Sequence, residues 1–366
     1  MKKIYILSNS YGEDRSGALI GREMLRLCPD IHITAFPLIS LGEEYKKRGV
    51  PFVQGFPPPP SGGPLLKSFK GFVQDVLTSF NIPFEYVRKL RGNSKPDILL
   101  VVGDVPLLVL GWIAFKTKAY FLAPCKSDYI APHLGIEVSI MRRISKAVFT
   151  HDEPTAESLK NKGVNAVFLG NPMMDGLEKE NVFRPPDNKV VIGVLPGSRE
   201  EAYGNLERIL RVGERIKAYK KDVMFPIAVS PTLDWDRVKS ICSGYEFAVP
   251  VRNAFVDVVL ASDIIISLAG TATEQAAGMG KSVVVFNGTG ASSSWRKMFD
   301  QKKLLGDAVL LFRYDPEKIA REVVRVLNEP ETLKRMGEAG KQRMGGEGGA
   351  RRIAEFILKM EGLCSL

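Results

Sequence analysis

One stretch, Asp263–Phe286 (DIIISLAGTATEQAAGMGKSVVVF), limits what this chain can fold into. It opens on Ile264-Ile265-Ile266, an apolar, β-branched run of the length expected for a strand buried in a parallel sheet. Gly270-Thr271-Ala272-Thr273-Glu274 follows, where small side chains let a ligand approach the backbone. Thr271 or Thr273 can cap a helix that runs to about Met279, and Gly278 and Gly280 end it. Lys281–Phe286 is the next strand. The first turn of such a helix offers unpaired N–H groups and a positive dipole end, a setting suited to phosphate. Glu274, one turn in, can take two hydrogen bonds from a ribose diol.

A chain of 366 residues implies two domains sharing one cleft. Its 45% apolar content fits a globular class with full cores. No apolar run approaches the roughly 18 residues of a membrane span. The N-terminus, MKKIYILSNS, has too short an apolar part for an export signal and reads as a first strand. Cys28, Cys125, Cys242 and Cys364 are widely spaced, which disfavours a disulfide framework or a zinc site and fits a reducing cytoplasm. The net charge of +10 is concentrated in residues 1–170. It points to an anionic partner there, against the plainer reading of charge kept for solubility. No aromatic-interleaved basic motif supports nucleic acid as that partner.

Taken in order, Ile4–Leu7 is a strand, Ser8–Asp14 a Gly-containing loop, and Arg15–Leu27 a helix. Doubly wound α/β domains begin this way, with ligands at the carboxyl ends of the strands. There is no G-x-G-x-x-G, so a dinucleotide is not indicated. Glu13 and Asp14 can hold sugar hydroxyls or act as bases; the structural alternative makes Asp14 the helix N-cap. Residues 55–64 form a stiff Pro/Gly loop. Beyond it, the apolar positions from Leu65 to Phe80 recur at helical spacing beside Lys67 and Lys70, with Arg88, Lys89, Arg91 and Lys95 downstream. That pattern suits either a core-facing helix or one resting on a bilayer. Ile98–Val102 is a buried strand with Gly103-Asp104-Val105-Pro106 at its carboxyl end. Asp104 is therefore a catalytic candidate or the cap of the next helix. Cys125–His133 reads as a polar loop facing the same cleft, and Pro185–Asn188 as the linker. The domains are expected at 1–183 and 184–349, with a last helix in 350–366 packing back on the first.

Three pieces occur in order: GNPMMDG (Gly170–Gly176), LPGSRE (Leu195–Glu200) and SLAGTATEQAAGMGKSVVVF (Ser267–Phe286). Together they resemble the nucleotide-sugar half of a GT-B glycosyltransferase, and most closely the lipid-A-disaccharide synthase family with its related proteins. Tyr11-Gly12-Glu13-Asp14, Ser16-Gly17 and Gly103–Pro106 anchor the resemblance in the first half. It implies a GT-B fold, α/β, with two Rossmann-like doubly wound parallel-sheet domains facing a cleft. It also implies an inverting transfer, without a metal, of an N-acetylglucosamine-type sugar from a UDP-sugar to a lipid-linked acceptor. That work belongs at the cytoplasmic face of the inner membrane, against an anionic lipid surface.

On the donor side the resemblance assigns Gly197, Ser198 and Arg199 to the diphosphate, with Arg199 as its charge partner. The backbone at Gly270, Thr271 and Ala272 assists, Thr273 lies beside it, and Glu274 holds the ribose. Pro250, Val251 and Arg252, with Asn253, take the uracil edge. Asp104 matches the family's candidate base, with Glu13 next in line. Gly12, Asp14, Ser16 and Asn171 lie on the acceptor side. The polar cluster that the family carries beyond its last βα unit is not recognisable in Gly288–Trp295. Two other functions share the plan: a UDP-sugar 2-epimerase, which needs further acid and base groups, and a UDP-sugar-binding protein without turnover.

Overall fold

The computed structural model describes residues 1–57, 81–124 and 126–363. The apolar stripe at 65–80 and most of the Pro/Gly loop lie outside the described residues. The chain divides into unit one, Met1–Asp175 with Glu347–Leu366, and unit two, Gly176–Gly346.

Unit one runs β1 (Lys3–Ser8), α1 (Tyr11–Leu27), β2 (His32–Pro37), α2 (Glu43–Lys47), α3 (Ile82–Arg91), β3 (Ile98–Val102), α4 (Val105–Phe115), β4 (Ala119–Ala123), α5 (Gly135–Ile144), β5 (Ser145–Thr150), α6 (Glu153–Asn161) and β6 (Ala166–Val167). The six strands are parallel in the order β2-β1-β3-β4-β5-β6. The order reverses between β1 and β3, which sets a crevice at their carboxyl ends. Apolar residues fill both faces of β3, because helices cover the sheet on each side.

Unit two runs β7 (Val190–Leu195), α7 (Ala202–Tyr219), β8 (Val223–Val229), α8 (Trp235–Cys242), β9 (Ala248–Arg252), α9 (Phe255–Ala261), β10 (Ile264–Ser267), α10 (Thr271–Gly278), β11 (Val283–Phe286), α11 (Trp295–Leu305), β12 (Val309–Phe312), α12 (Pro316–Leu327) and α13 (Pro330–Met344). Its parallel order is β12-β11-β10-β7-β8-β9, with the reversal between β10 and β7. Ser267 pairs with Leu195, so the turns that follow these two strands emerge side by side.

The last helix, α14 (Gly349–Met360), lies in unit one. Its face of Ala350, Ile353, Ala354, Ile357 and Leu358 shares a core with Ile4, Ile6, Leu19 and Ile20. Asp175 ties down its start, accepting N–H bonds from Gly348 and, at 2.6 Å, from Ala350.

Candidate functional site

The paired turns after β7 and β10 open onto a cavity of about 520 Å³ in unit two, within the usual range for a small-molecule site. Gly197 has φ +115°, a conformation that L side chains rarely adopt, so the residue after Pro196 has to be glycine. That twist carries Ser198 and Arg199 to the cavity wall. Arg199 is exposed, and among the described residues no ion pair or hydrogen bond engages its guanidinium. Its neighbour Glu200 is committed elsewhere, bonded to Arg237 at 2.7 Å.

Facing it, Gly270 stands before α10 with nothing within 4 Å of where a Cβ would project. The first bonds of the helix are Thr273 N–H to Gly270 O at 2.9 Å and Glu274 N–H to the same oxygen at 3.4 Å. The N–H groups of Thr271 and Ala272 precede those bonds and lie in the cavity wall. Gln301 fixes the turn from behind, donating to the carbonyls of Ala269 and Gly270, both at 3.0 Å. Arg199 and the positive end of α10 thus line one space, a combination that attracts an anion.

Thr273 departs from the expectation that placed it with the ligand. It is fully buried, and its hydroxyl donates to Ala269 O at 2.8 Å and lies 2.6 Å from that of Ser267. In a helix's first turn, successive side chains point in different directions, and this one points into the core. Glu274 is half-buried one turn in; its neighbour Gln275 lines the cavity. Pro250, Val251 and Arg252 complete β9, with the Arg252 guanidinium 4.6 Å from the Trp235 ring centre. The wall itself takes Asn253, Ala254 and Phe255 from the turn beyond, Ala228–Pro231 from the end of β8, and Glu180. Asn253 makes that turn with φ +48°.

The Gly288–Ser294 loop, which matched no motif, belongs to this edge. Asn205, buried on α7, donates to Pro196 O at 3.1 Å. Its Oδ1 accepts the Thr289 N–H at 2.9 Å and the Thr289 and Ser293 hydroxyls at 3.2 Å. Glu201 accepts the Ser292 N–H at 3.2 Å, and Ser292 lines the cavity. One amide side chain therefore couples the Pro-Gly turn to a loop distant in sequence.

In unit one the candidates follow β1 and β3. Asp104 is exposed and caps α4, its Oδ1 accepting the Leu107 N–H at 3.0 Å. Helix α1 begins at Tyr11, not Arg15, so Gly12 is its exposed second residue, and Ser10, not Asp14, is the N-cap residue. Glu13 is half-buried and accepts from the Ser10 hydroxyl at 2.9 Å. Asp14 is 1% exposed and takes hydroxyl bonds from Ser8, at 2.6 Å, and from Ser40. Burial raises its pKa above the ordinary carboxylate value, and the two hydroxyls only partly offset this. Ser16 is buried and bonds back to Gly12 O at 3.2 Å. Asn171 is buried and caps a short 3₁₀ turn, Pro172–Met174, by accepting the Met173 N–H at 3.1 Å.

No family model matches the chain. Two curated relatives are each 25% identical to it. The lipid-A-disaccharide synthase of Nitrosococcus oceani aligns over 98% of this chain and 96% of its own length, that of Trichlorobacter lovleyi over 78% and 82%. The chain is a distant homologue of the lipid-A-disaccharide synthases. Among solved structures it resembles the Neisseria meningitidis UDP-GlcNAc 2-epimerase bound to UDP-GlcNAc (TM-score 0.64, 16% identity, 98% of this chain and 100% of that one). It also resembles the calicheamicin glycosyltransferase CalG4 (TM-score 0.69, 14% identity, all of both chains). The two six-stranded parallel sheets make a GT-B-like fold.

Among the described residues of this synthase homologue, no three His, Cys, Asp or Glu side chains form a group that could hold a metal ion. No described helix is long and apolar enough to cross a membrane. Cys28 and Cys242 are buried, and burial pushes the Cys242 thiol up to about 11.

Proposed function

We propose that this synthase homologue is an inverting, metal-independent glycosyltransferase. It moves an N-acetylglucosamine-type sugar from a UDP-sugar to the hydroxyl of a lipid-linked acceptor. One observation carries the reading: an arginine with no carboxylate partner among the described residues and the start of a helix line a single cavity. The name of the lipid-A-disaccharide synthase that aligns over nearly the whole of both chains supports it.

In this reading the acceptor oxygen attacks the anomeric carbon as Asp104 takes its proton. The bond to the diphosphate breaks, and the leaving oxygen keeps the electron pair. Arg199 and the N–H groups of Thr271 and Ala272 balance the charge that develops there. The uracil rests on the Asn253–Phe255 turn and Glu274 holds the ribose. The lipid is met at an anionic membrane on the cytoplasmic side; exposed Phe84, Arg88 and Arg91 on α3 suit that surface.

The test is a UDP-release assay over a panel of UDP-sugars, with a total lipid extract as acceptor and mass analysis of the product. A glycosylated lipid is the expected result. Epimerised free sugar formed without acceptor would identify an epimerase, and binding without any UDP release a non-catalytic protein.

A further inference from the structure

The segment that leads into the Pro185–Asn188 linker reaches the cavity. Residues 177–186 contain no helix, strand or turn, yet part of their backbone is tightly held. Asp257, in the first turn of α9, accepts N–H bonds from Glu180 at 3.0 Å, Val182 at 2.7 Å and Phe183 at 3.2 Å. The carboxylate is 4% exposed, and these bonds stand in for the water it has lost. Ala254 and Phe255, at the start of the same helix, line the cavity, and so does Glu180. The clamp therefore fixes Glu180 at the end of the cavity built from the β9 turn. In the sheet, β9 lies two strands from β7. That puts the ends of the two strands roughly 10 Å apart, at about 4.8 Å per strand. This separation suits a ligand with its diphosphate at Arg199 and its nucleoside at Asn253–Phe255.

An ionised carboxylate only accepts hydrogen bonds, and it repels phosphate. At the nucleoside end it has two partners to choose from, a ribose hydroxyl or a base N–H. We infer that Glu180 is a specificity-determining residue that accepts a hydrogen bond from the donor's nucleoside, and that Asp257 is the positioning residue that holds it there. This rests on the UDP-sugar reading above. It adds Glu180 to the wall of the site and gives the ligand a fixed polarity, carboxylate at one end and guanidinium at the other.

The experiment is a calorimetric titration of the full chain with UDP, 2′-deoxy-UDP, 3′-deoxy-UDP and N3-methyl-UDP. The proteins are wild type, Glu180→Ala, Glu180→Gln, Asp257→Asn and the double variant Glu180→Ala/Asp257→Asn, with melting curves on each. Glu180→Ala is expected to weaken UDP about 10- to 100-fold, the size of one hydrogen bond to a charged group. Glu180→Gln, which keeps an acceptor oxygen, recovers part of that. The gap between wild type and Glu180→Ala closes for the analogue that lacks the bonded hydrogen. Closure with a deoxy analogue identifies the ribose, closure with the methylated base the uracil, and either supports the inference. Asp257→Asn weakens UDP as well, and adding Glu180→Ala to it costs little more, because the two act as one unit.

Wild-type UDP affinity in Glu180→Ala, or a gap that no analogue closes, overturns the role of Glu180. A lower melting temperature with unchanged affinity in Asp257→Asn overturns the clamp. A wild type that binds no UDP overturns the donor reading itself, and this inference with it.

Discussion

At the carboxyl edge of unit two, the Arg199 guanidinium after β7 and the N–H groups of Thr271 and Ala272 after β10 line a cavity and, among the described residues, are not taken up by internal bonds. In unit one, the acidic groups that follow β1 and β3 are already engaged by bonds within the unit. Arg199 carries no partner among the described residues, and the N–H groups of Thr271 and Ala272 precede the first bond of α10. Asp104, by contrast, already holds Leu107 N–H, and Asp14 is sealed among Ser8, Ser40 and Tyr45. Parallel sheets of the same size thus present one edge prepared for an anion and another whose carboxylates also stabilise the fold. A capping carboxylate still has a second oxygen, and Asp104 is exposed, so a base and a cap are compatible in one residue. The difference is that mutating it disturbs two things at once.

The largest effect separates those two roles. Asp104→Asn keeps an acceptor for the cap and removes the base, so turnover is expected to fall about 10²- to 10⁴-fold with UDP affinity unchanged. Retained turnover moves the base elsewhere, to Glu13 first. Next, Arg199→Ala is expected to lower kcat/KM about 10²- to 10³-fold, the range for removing a group that stabilises developing charge. Unaltered kinetics would make the two edges equivalent after all.

Smaller effects on stability sharpen the contrast. Gly197→Ala puts a side chain at φ +115° and is expected to cost about 1–3 kcal/mol, read as a lowered Tm together with weakened UDP binding. Thr273→Val is expected to cost about 1 kcal/mol by removing the hydroxyl's bonds to Ser267 and to the Ala269 carbonyl, which both keep other partners, with nucleotide affinity unchanged. Altered affinity there would return Thr273 to the site.

The smallest expected effect is on pH dependence, where the units behave oppositely. Burial would raise the Asp257 pKa, but the N–H bonds from residues 180–183 outweigh it and hold the group below its ordinary value. Its contribution to stability is present above the unfolded carboxylate pKa and is lost as pH falls through the folded one. Asp14 is shifted upward by burial, so its contribution is full below the unfolded value and lost as pH rises through the folded one. Melting curves across the acid range should show Asp257→Asn flattening the loss on the acid side and Asp14→Asn flattening the loss above it. Curves that match wild type would show that neither carboxylate is linked to folding.

Much of unit two was legible because its signals are local. Ile264–Ile266 is a β-branched run buried on both faces, and Gly197 answers to a backbone angle that its own turn demands. What escaped depended on distant contacts. Asn205 reaches Thr289 across 84 residues, and Glu180 owes its place to Asp257, 77 residues on. Neither pairing has a periodicity or a turn signature to announce it. In unit one, Gly12 reads as loop because glycine disfavours helices, yet the helix starts at Tyr11 with Ser10 bonded to Glu13. The direction of Thr273 was equally hidden, since a first-turn threonine can face a ligand or the core and composition does not distinguish them.

A crystal structure with UDP bound tests the central claim most directly. The account predicts diphosphate oxygens within about 2.7–3.2 Å of the Arg199 guanidinium and of the first-turn N–H groups of α10, with the uracil against Asn253–Phe255. UDP seated away from both the guanidinium and the helix start would contradict it.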